Sequence, residues 1–275
     1  MRILYVAEIV GRAGIFAFKK GIKELRQQKE PDFVIAGADG VTGANGLSRN
    51  HASYLHKLGA HVLTCGECSF FKKDLVENIE HIHYVLRPVN LNYEAPGYGS
   101  RIYRIGDKKI AVAVLIGQSG FIRMHGNNPF IEAPLLCERL RQETPYIVLD
   151  FHATTTAEKR ILFSLADGLC SAVIGSHTRV QTADAAILSG GTAVITDAGR
   201  TGSQLSVGGV DVQERITNYI TGIPDWTKEA VDKPALQGVL IEISESGKAV
   251  SIERIQHPVG PLPDPAPESA PDVDR

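Results

Sequence analysis

Cysteine is scarce in this chain. Four residues in 275 do not make a disulfide scaffold, and a reducing, cytosolic setting is the simpler expectation. An excess of charge of one sign is also missing: 29 Lys and Arg stand against 31 Asp and Glu, a formal net charge of -2. Holding nucleic acid or an anionic membrane by bulk electrostatics needs a clear basic excess, so neither is expected. No run approaches the roughly 18 consecutive apolar residues that would cross a bilayer. MRILYV starts on a strand-like run, with no basic segment and apolar stretch of the secretory kind. No internal repeat stands out. What is left, 43% hydrophobic and 22% charged, is ordinary globular composition, long enough for a large buried core.

The present pattern is one of short apolar runs separated by amphipathic stretches. Arg2 to Ala7, Phe33 to Ala36 and His61 to Thr64 read as strands, the first two as strands buried on both faces. Gly11 and Gly14 bracket a turn, and Phe16, Ile22 and Leu25 form a helical stripe ending near Lys29. Ser48 is placed to cap a helix through Leu58. Later strands fall at Ile110–Leu115, Tyr146–Phe151, Ala172–Gly175 and Ala193–Thr196, then a hairpin of Val239–Ile243 with Ala249–Ile255 turning near Ser246-Gly247. The alternation of strands and helices indicates a largely parallel sheet with helices on its faces. Residues 1–257 are expected to form one domain. Residues 258–275, PVGPLPDPAPESAPDVDR, are rich in proline and carboxylate and read as a disordered tail.

In open α/β sheets chemistry gathers beyond the carboxyl ends of strands. Those positions here hold Glu8, Asp39, Glu67 with Cys68 (in TCGECSF), His152 (in LDFHATT), and His177 with Arg179 (in IGSHTRVQT). Alone, an acid in such a loop is more often a helix cap or a solvated side chain, and a histidine after an apolar strand is more often structural. Cys65 and Cys68 have C-x-x-C spacing, open to zinc or redox chemistry, but no second pair accompanies them. Cys137 and Cys170 read as core residues, and the remaining histidines show no ligand spacing. Gly11-Arg12-Ala13-Gly14 before a helix is a weak phosphate-cradle signal. Acids and imidazoles at successive strand ends point together to a divalent metal, since both donor types suit zinc and harder ions.

The segments MRILYVAEIVGRAG, GANGLS, TCGECSF, LRPVNL, TPYIVLDFHATTTAEK, AVIGSHTRVQTADAAIL and TAVITDAGRTG resemble, in register from Met1 to about Ile255, the YmdB-type phosphodiesterases of the calcineurin-like metallophosphoesterase superfamily. The resemblance implies a four-layer α-β-β-α sandwich with two central mixed β-sheets. It also implies two metal ions that activate a hydroxide for attack on phosphodiesters such as 2',3'-cyclic AMP. The family pattern has aspartate where this chain has Glu8, a metal-bridging glutamate at Asp39, asparagine at Gly40 and at Glu67, and a proton-donating histidine at Cys68. It has histidines at His152 and His177, and a third metal-binding histidine at Arg179.

The resemblance assigns the first metal to the positions of Glu8, Asp39 and Arg179, and the second to Asp39, Glu67, His152 and His177. Guanidinium has no lone pair to offer a metal and competes for the same carboxylates. Arg179 is therefore expected to bridge Glu8 and Asp39 in the first metal's space, leaving at most one divalent ion, zinc, manganese or iron. Three carboxylates and one guanidinium sum to about -2, a charge that one such ion neutralises. Losing the proton donor at Cys68 removes a contribution of roughly 10²–10⁴ in rate. A degenerate phosphoesterase with weak or no activity, serving in binding, regulation or assembly, is expected first. An altered one-metal hydrolase of a cyclic nucleotide or other phosphate ester is the alternative, and a thiol role for Cys68 is a third. The partners implied are a nucleotide or phosphate ester and, for an assembly role, a protein partner or a second copy.

Overall fold

Apolar runs without polar alternation become strands covered on both faces, and four of the five residues of the first run, Arg2–Val6, are buried. The computed structural model describes residues 1–223 and 228–263. Its first half comprises β1 (Arg2–Val6), β2 (Glu8–Ile9), α1 (Gly11–Lys29), β3 (Phe33–Gly37), α2 (Arg49–Leu58), β4 (Val62–Thr64), α3 (Lys73–Val76), β5 (Val85–Leu86), β6 (Ser100–Ile105) and β7 (Lys108–Ile116). There follow α4 (Pro129–Arg141), β8 (Ile147–His152), α5 (Thr156–Ala166), β9 (Ala172–Ser176), β10 (Ala186–Ile187), β11 (Ala193–Ile195), β12 (Arg200–Ser203), α6 (Val212–Thr221), β13 (Pro234–Ile243) and β14 (Ala249–Pro258).

Two sheets result. The larger has the order β2-β12-β13-β1-β3-β4-β5, with β14 on β13; the smaller runs β10-β11-β9-β8-β7-β6. Both are mixed: β1, β3, β4 and β5 are parallel neighbours, as are β7, β8, β9 and β11, while β13, β6 and β10 run antiparallel to theirs. Alternate residues face opposite sides. Thus Ile3, Tyr5 and Ile35 meet Val112, Val114, Val148 and Ile174 between the sheets. Leu4, Val6 and Val34 take Phe18, Ile22 and Leu25 of α1 and Leu55 of α2 on the outside. On the far side Leu149 and Phe151 take Leu136 and Cys137 of α4 and Leu162 and Phe163 of α5. The layers are α-β-β-α, the sandwich that the resemblance implied.

Several local expectations change. No turn separates Gly11 from Gly14: α1 begins at Gly11, whose N–H donates to the Gly40 carbonyl (3.0 Å). The Arg12 N–H donates to Glu229 Oε2 (2.8 Å), so this helix end is met by the chain's own carboxylate and is no free phosphate cradle. Gly14 has another use, because a Cβ there would lie 2.6 Å from the Thr201 carbonyl of β12. Ser48 does cap α2, accepting from the His51 N–H (3.3 Å). The hairpin is longer than its apolar run, because β13 pairs with β12 at Ala235 before it reaches β1. β14 ends at Pro258, one residue into the expected tail, of which residues 264–275 lie outside the described residues. No helix among the described residues is long and apolar enough to cross a membrane.

Beneath the strand ends sits a fully buried ion pair. Lys159 Nζ of α5 lies 3.1 Å from Asp197 Oδ2, with both side chains wholly covered. Asp197 also accepts from Thr178 N–H (2.8 Å), Thr178 Oγ1 (2.7 Å) and Gly199 N–H (2.9 Å). Removing one partner of such a pair strands a buried charge. Lys159→Met should cost about 3–5 kcal/mol in urea unfolding; a loss below about 1 kcal/mol would mean that the three other hydrogen bonds to Asp197 suffice.

A second stability prediction concerns pH. His61 stacks on Phe33, with ring centroids 4.7 Å apart, and its Nδ1 accepts from the Val34 N–H (2.8 Å). Burial, helped by the charge of Arg26, lowers its pKa from 6.5 to about 4. The unfolded chain therefore binds a proton between pH 6.5 and 4 that the folded chain refuses, and this contribution to stability falls as pH falls through that window. His61→Asn, which keeps an acceptor near Nδ1, should make denaturant midpoints less pH-dependent there. An unchanged slope would contradict this role of His61.

Candidate active site

The carboxyl ends of parallel neighbours lie side by side, and the loops after them converge. Asp39 follows β3, Glu67 and Cys68 follow β4, His152 ends β8, and His177 and Arg179 follow β9. The structure gathers all of them, together with Glu8 at the start of β2.

Asp39 is 2% exposed and is held by backbone donors: Gly66 N–H reaches Oδ1 at 2.8 Å, and Cys68 N–H lies 3.1 Å from each oxygen. Its Oδ2 is 3.6 Å from His152 Nε2. His152 Nε2 also meets Glu67 Oε2 in a short contact and stands 3.1 Å from His177 Nδ1, which is itself 3.1 Å from Glu67 Oε1. Behind the ring, His152 Nδ1 lies 3.0 Å from Ser176 Oγ. Gly66 allows the approach, since a Cβ there would fall 2.3 Å from the imidazole. His177 and Arg179 have φ of 97° and 60°, left-handed values that are rare for side chains of this size. Hydrogen bonds from Thr178, between them, to Asp197 hold that turn.

Crowding of acids sets the protonation of the group. Burial, then the neighbouring Glu67 charge, raises the Asp39 carboxyl well above its ordinary range. Burial acts the same way on Glu67 but is outweighed by His152 and His177, which hold that carboxyl well below the ordinary range. Burial disfavours charge on His152, yet Glu67 and then Asp39 outweigh it and push the imidazole up to about 10. Cys68 is pushed upward by burial and by Asp39, so its sulfur keeps its proton.

Arg179 meets Glu8 and not Asp39. Nε and Nη2 approach Glu8 Oε1 at 2.9 and 2.6 Å, Nη1 donates to the Gly208 carbonyl (2.8 Å), and Nη2 donates to the Ala44 carbonyl (3.1 Å). The expected bridge is thus half realised: the backbone N–H groups of 66 and 68 take up Asp39, and two carbonyls take two more of the guanidinium's donors. Gly40 fits this arrangement. A Cβ on it would lie 2.9 Å from both Arg179 Nη2 and Glu8 Oε1, so a side chain at 40 and this guanidinium contend for one space.

The donor chemistry tests the fit of a metal. Glu67, His152 and His177 present ligand atoms all within 4.8 Å of one another, as do Asp39, Glu67 and Cys68. Two imidazoles and two carboxylates suit one divalent ion. The space between Glu8 and Arg179 does not suit another, because it is filled by a cation without lone pairs. Beside the group opens a cavity of about 390 Å³ lined by Glu67, Phe71, Phe121, Arg123 and His177 among others.

Sequence reasoning missed what stands behind the strand ends. Asp150, 3% exposed, accepts from Ser176 Oγ and from Tyr5 Oη, both at 2.7 Å. An acid within the apolar run YIVLDF was the available signal. Phe121, whose ring centroid is 5.9 Å from that of His152 and 5.2 Å from that of His177, comes from a loop with no pattern that would announce it.

Comparison with known proteins bears on the family and the fold. The family model described as YmdB-like protein matches residues 4–255. A 2',3'-cyclic-nucleotide 2'-phosphodiesterase of Bacillus subtilis (strain 168) is 36% identical over 256 residues, 93% of this chain and 96% of that protein. The crystal structure of a novel phosphatase from Mycoplasma pneumoniae superposes with a TM-score of 0.88 at 27% identity, covering 94% of this chain and 93% of that one. A crystal structure of a hypothetical protein from Thermus thermophilus gives 0.87 at 27% identity, covering 94% of this chain and all of the other. From one end of the sandwich to the other, the chain belongs to the YmdB-like family.

Proposed function

We propose that this chain is a one-metal member of its family. In this reading Arg179 stands in the place of one of the two metal ions that the family resemblance implies. It binds a nucleotide or other phosphate ester, and its phosphodiester hydrolysis is weak or lost. The observation that carries the reading is the guanidinium seated on Glu8 and tied to the Gly208 and Ala44 carbonyls. Asp39, Glu67, His152 and His177 would hold the remaining divalent ion, which supplies Lewis acidity and lowers the pKa of a bound water.

The chain's own residues bias the site against fast turnover. Three carboxylates face one fixed guanidinium, so an anionic diester meets less positive charge than two divalent ions would provide. Cys68 holds its proton too tightly to pass it to a leaving oxygen. Arg123 and Phe71 at the mouth of the cavity offer a cation and an aromatic face, suited to a phosphate ester with a planar substituent. A second reading, an active hydrolase working with one metal, is favoured by the donor atoms of Glu67, His152 and His177, all within 4.8 Å of one another, beside a cavity that Glu67 and His177 also line. A cytosolic setting and a regulatory or assembly role belong to the first reading.

Metal analysis of chelator-free protein should give one equivalent, lost in His177→Ala. With manganese, iron or zinc supplied, hydrolysis of 2',3'-cyclic AMP and bis-p-nitrophenyl phosphate should run about 10²–10⁴ slower than by the Bacillus subtilis relative assayed alongside. Two equivalents and a comparable rate would overturn the first reading; one equivalent with a comparable rate would establish the second. Arg179→His combined with Cys68→His and Gly40→Asn should admit a second equivalent and raise the rate. Gly40→Asn alone, meeting Arg179 and Glu8, should lower the melting temperature more than it does in the Arg179→His background.

A further inference from the structure

A buried carboxylate, two hydroxyls and an imidazole form a chain that crosses from one sheet to the other behind the candidate metal ligands. Tyr5 of β1 reaches across to Asp150 of β8, Ser176 at the end of β9 takes the other oxygen, and His152 Nδ1 closes on Ser176 Oγ. Asp150, Ser176 and His152 are each at most 6% exposed, so water does not compete for these contacts. Their direction follows from counting protons. Both hydroxyls donate to Asp150, Tyr5 Oη to Oδ2 and Ser176 Oγ to Oδ1. Ser176 has one hydrogen and has given it to Asp150. Toward His152 its oxygen can only accept, and Nδ1 must be the N–H end.

We propose that Ser176, oriented by Asp150 and Tyr5, is a positioning residue that holds the proton of His152 on Nδ1 and so presents Nε2 to a divalent ion shared with Glu67 and His177. The inference rests on the one-metal reading for its ligand, though the hydrogen-bond direction does not. The ring has little freedom to escape this role. One face lies against the backbone at Gly66, where a Cβ would be 2.3 Å away, and Phe121 stacks near the ring with centroids 5.9 Å apart. Ser176 governs the Nδ1 edge, and Nε2 is left facing Glu67 and His177. An outer hydrogen bond of this kind fixes both tautomer and orientation of a metal-binding histidine, and its loss costs about 10–100-fold in metal affinity.

The test uses the full chain with ¹⁵N-labelled histidine. Where a single ring proton remains on His152, with zinc bound or above about pH 10 in the metal-free protein, that proton should sit on Nδ1 and exchange slowly with water. Ser176→Ala should abolish that protection and weaken zinc binding, measured against a competing chelator, by about 10–100-fold. Asp150→Asn should act in the same direction by another route. Its amide can donate to Ser176 and turn the hydroxyl toward Nδ1, driving the proton to Nε2. Tyr5→Phe leaves the Ser176–Asp150 link in place and should retain the Nδ1 proton. A purely structural role would lower melting temperatures without moving the histidine signals. A bare Nδ1 in the parent protein, or parental protection and affinity in Ser176→Ala, would overturn the proposal. Should Ser176→Ala fail to fold, the Asp150→Asn spectrum decides. If the parent chain binds no zinc, the one-metal reading fails, while the Nδ1 spectrum still decides the relay.

Discussion

Asp197 is the carboxylate on which the geometry of the site turns. It lies beyond β11, fully buried, with Lys159 from α5 on one oxygen and the backbone and hydroxyl of Thr178 on the same side. Those bonds hold the turn that carries His177 and Arg179 in left-handed backbone conformations, which neither residue would adopt readily in an unsupported loop. The ion pair is less a source of net stability than a constraint, because desolvating both charges offsets much of their attraction. What it does is make one loop conformation far cheaper than the others, and that conformation faces an imidazole toward Glu67 and a guanidinium toward Glu8.

Arg179 then acts as a cross-link. Its donors reach Glu8 at the β1–β2 junction, Ala44 in the loop after β3, and Gly208 in the segment after β12. Three stretches far apart in sequence are tied to one planar group whose geometry suits several acceptors at once. Two neighbouring positions make sense only with it. Glu8 is long enough to meet the guanidinium, and Gly40 leaves the room that a side chain would need. The three positions are therefore coupled, and a substitution at any one of them disturbs the contacts of the other two.

Much of this was legible in the sequence, for identifiable reasons. Strands β1, β3, β8 and β9 are mainly apolar runs, β8 interrupted by Asp150, and the polar residues at or just past their ends are the ones that converge. The motifs around His152 and His177 carry the family resemblance and with it the four layers. What stays hidden depends on distance in sequence. Short strands such as β2, β5 and β12 exist because a neighbour pairs with them, as Arg200 and Thr201 do with Glu8 and Ile9, and two to four residues show no periodicity. Residue chemistry alone sends Arg179 to Asp39, but the backbone donors of 66 and 68 claim that carboxylate, and no residue-level pattern reveals where a main-chain N–H points. The helix start at Gly11 reads as a turn because its capping carboxylate, Glu229, comes more than two hundred residues later.

The near-neutral composition conceals a local arrangement in which charge is placed with care. Glu8, Asp39 and Glu67 crowd one end of the sandwich, and each is compensated differently: Glu8 by a guanidinium, Asp39 by main-chain donors, Glu67 by two imidazoles. Among these partners, imidazole alone gives up a proton to offer a lone pair. The Glu8 pair rests on a guanidinium that has no lone pair to offer, and the Asp39 bonds are built into the backbone. The site thus divides physically into a fixed half and an exchangeable half. His152 sits on the boundary, its one edge tied through Ser176 and Asp150 to the opposite sheet and its other edge free to trade Glu67's hydrogen bond for a ligand bond. The packing of the two sheets, rather than the loops alone, therefore sets the direction in which that trade is made.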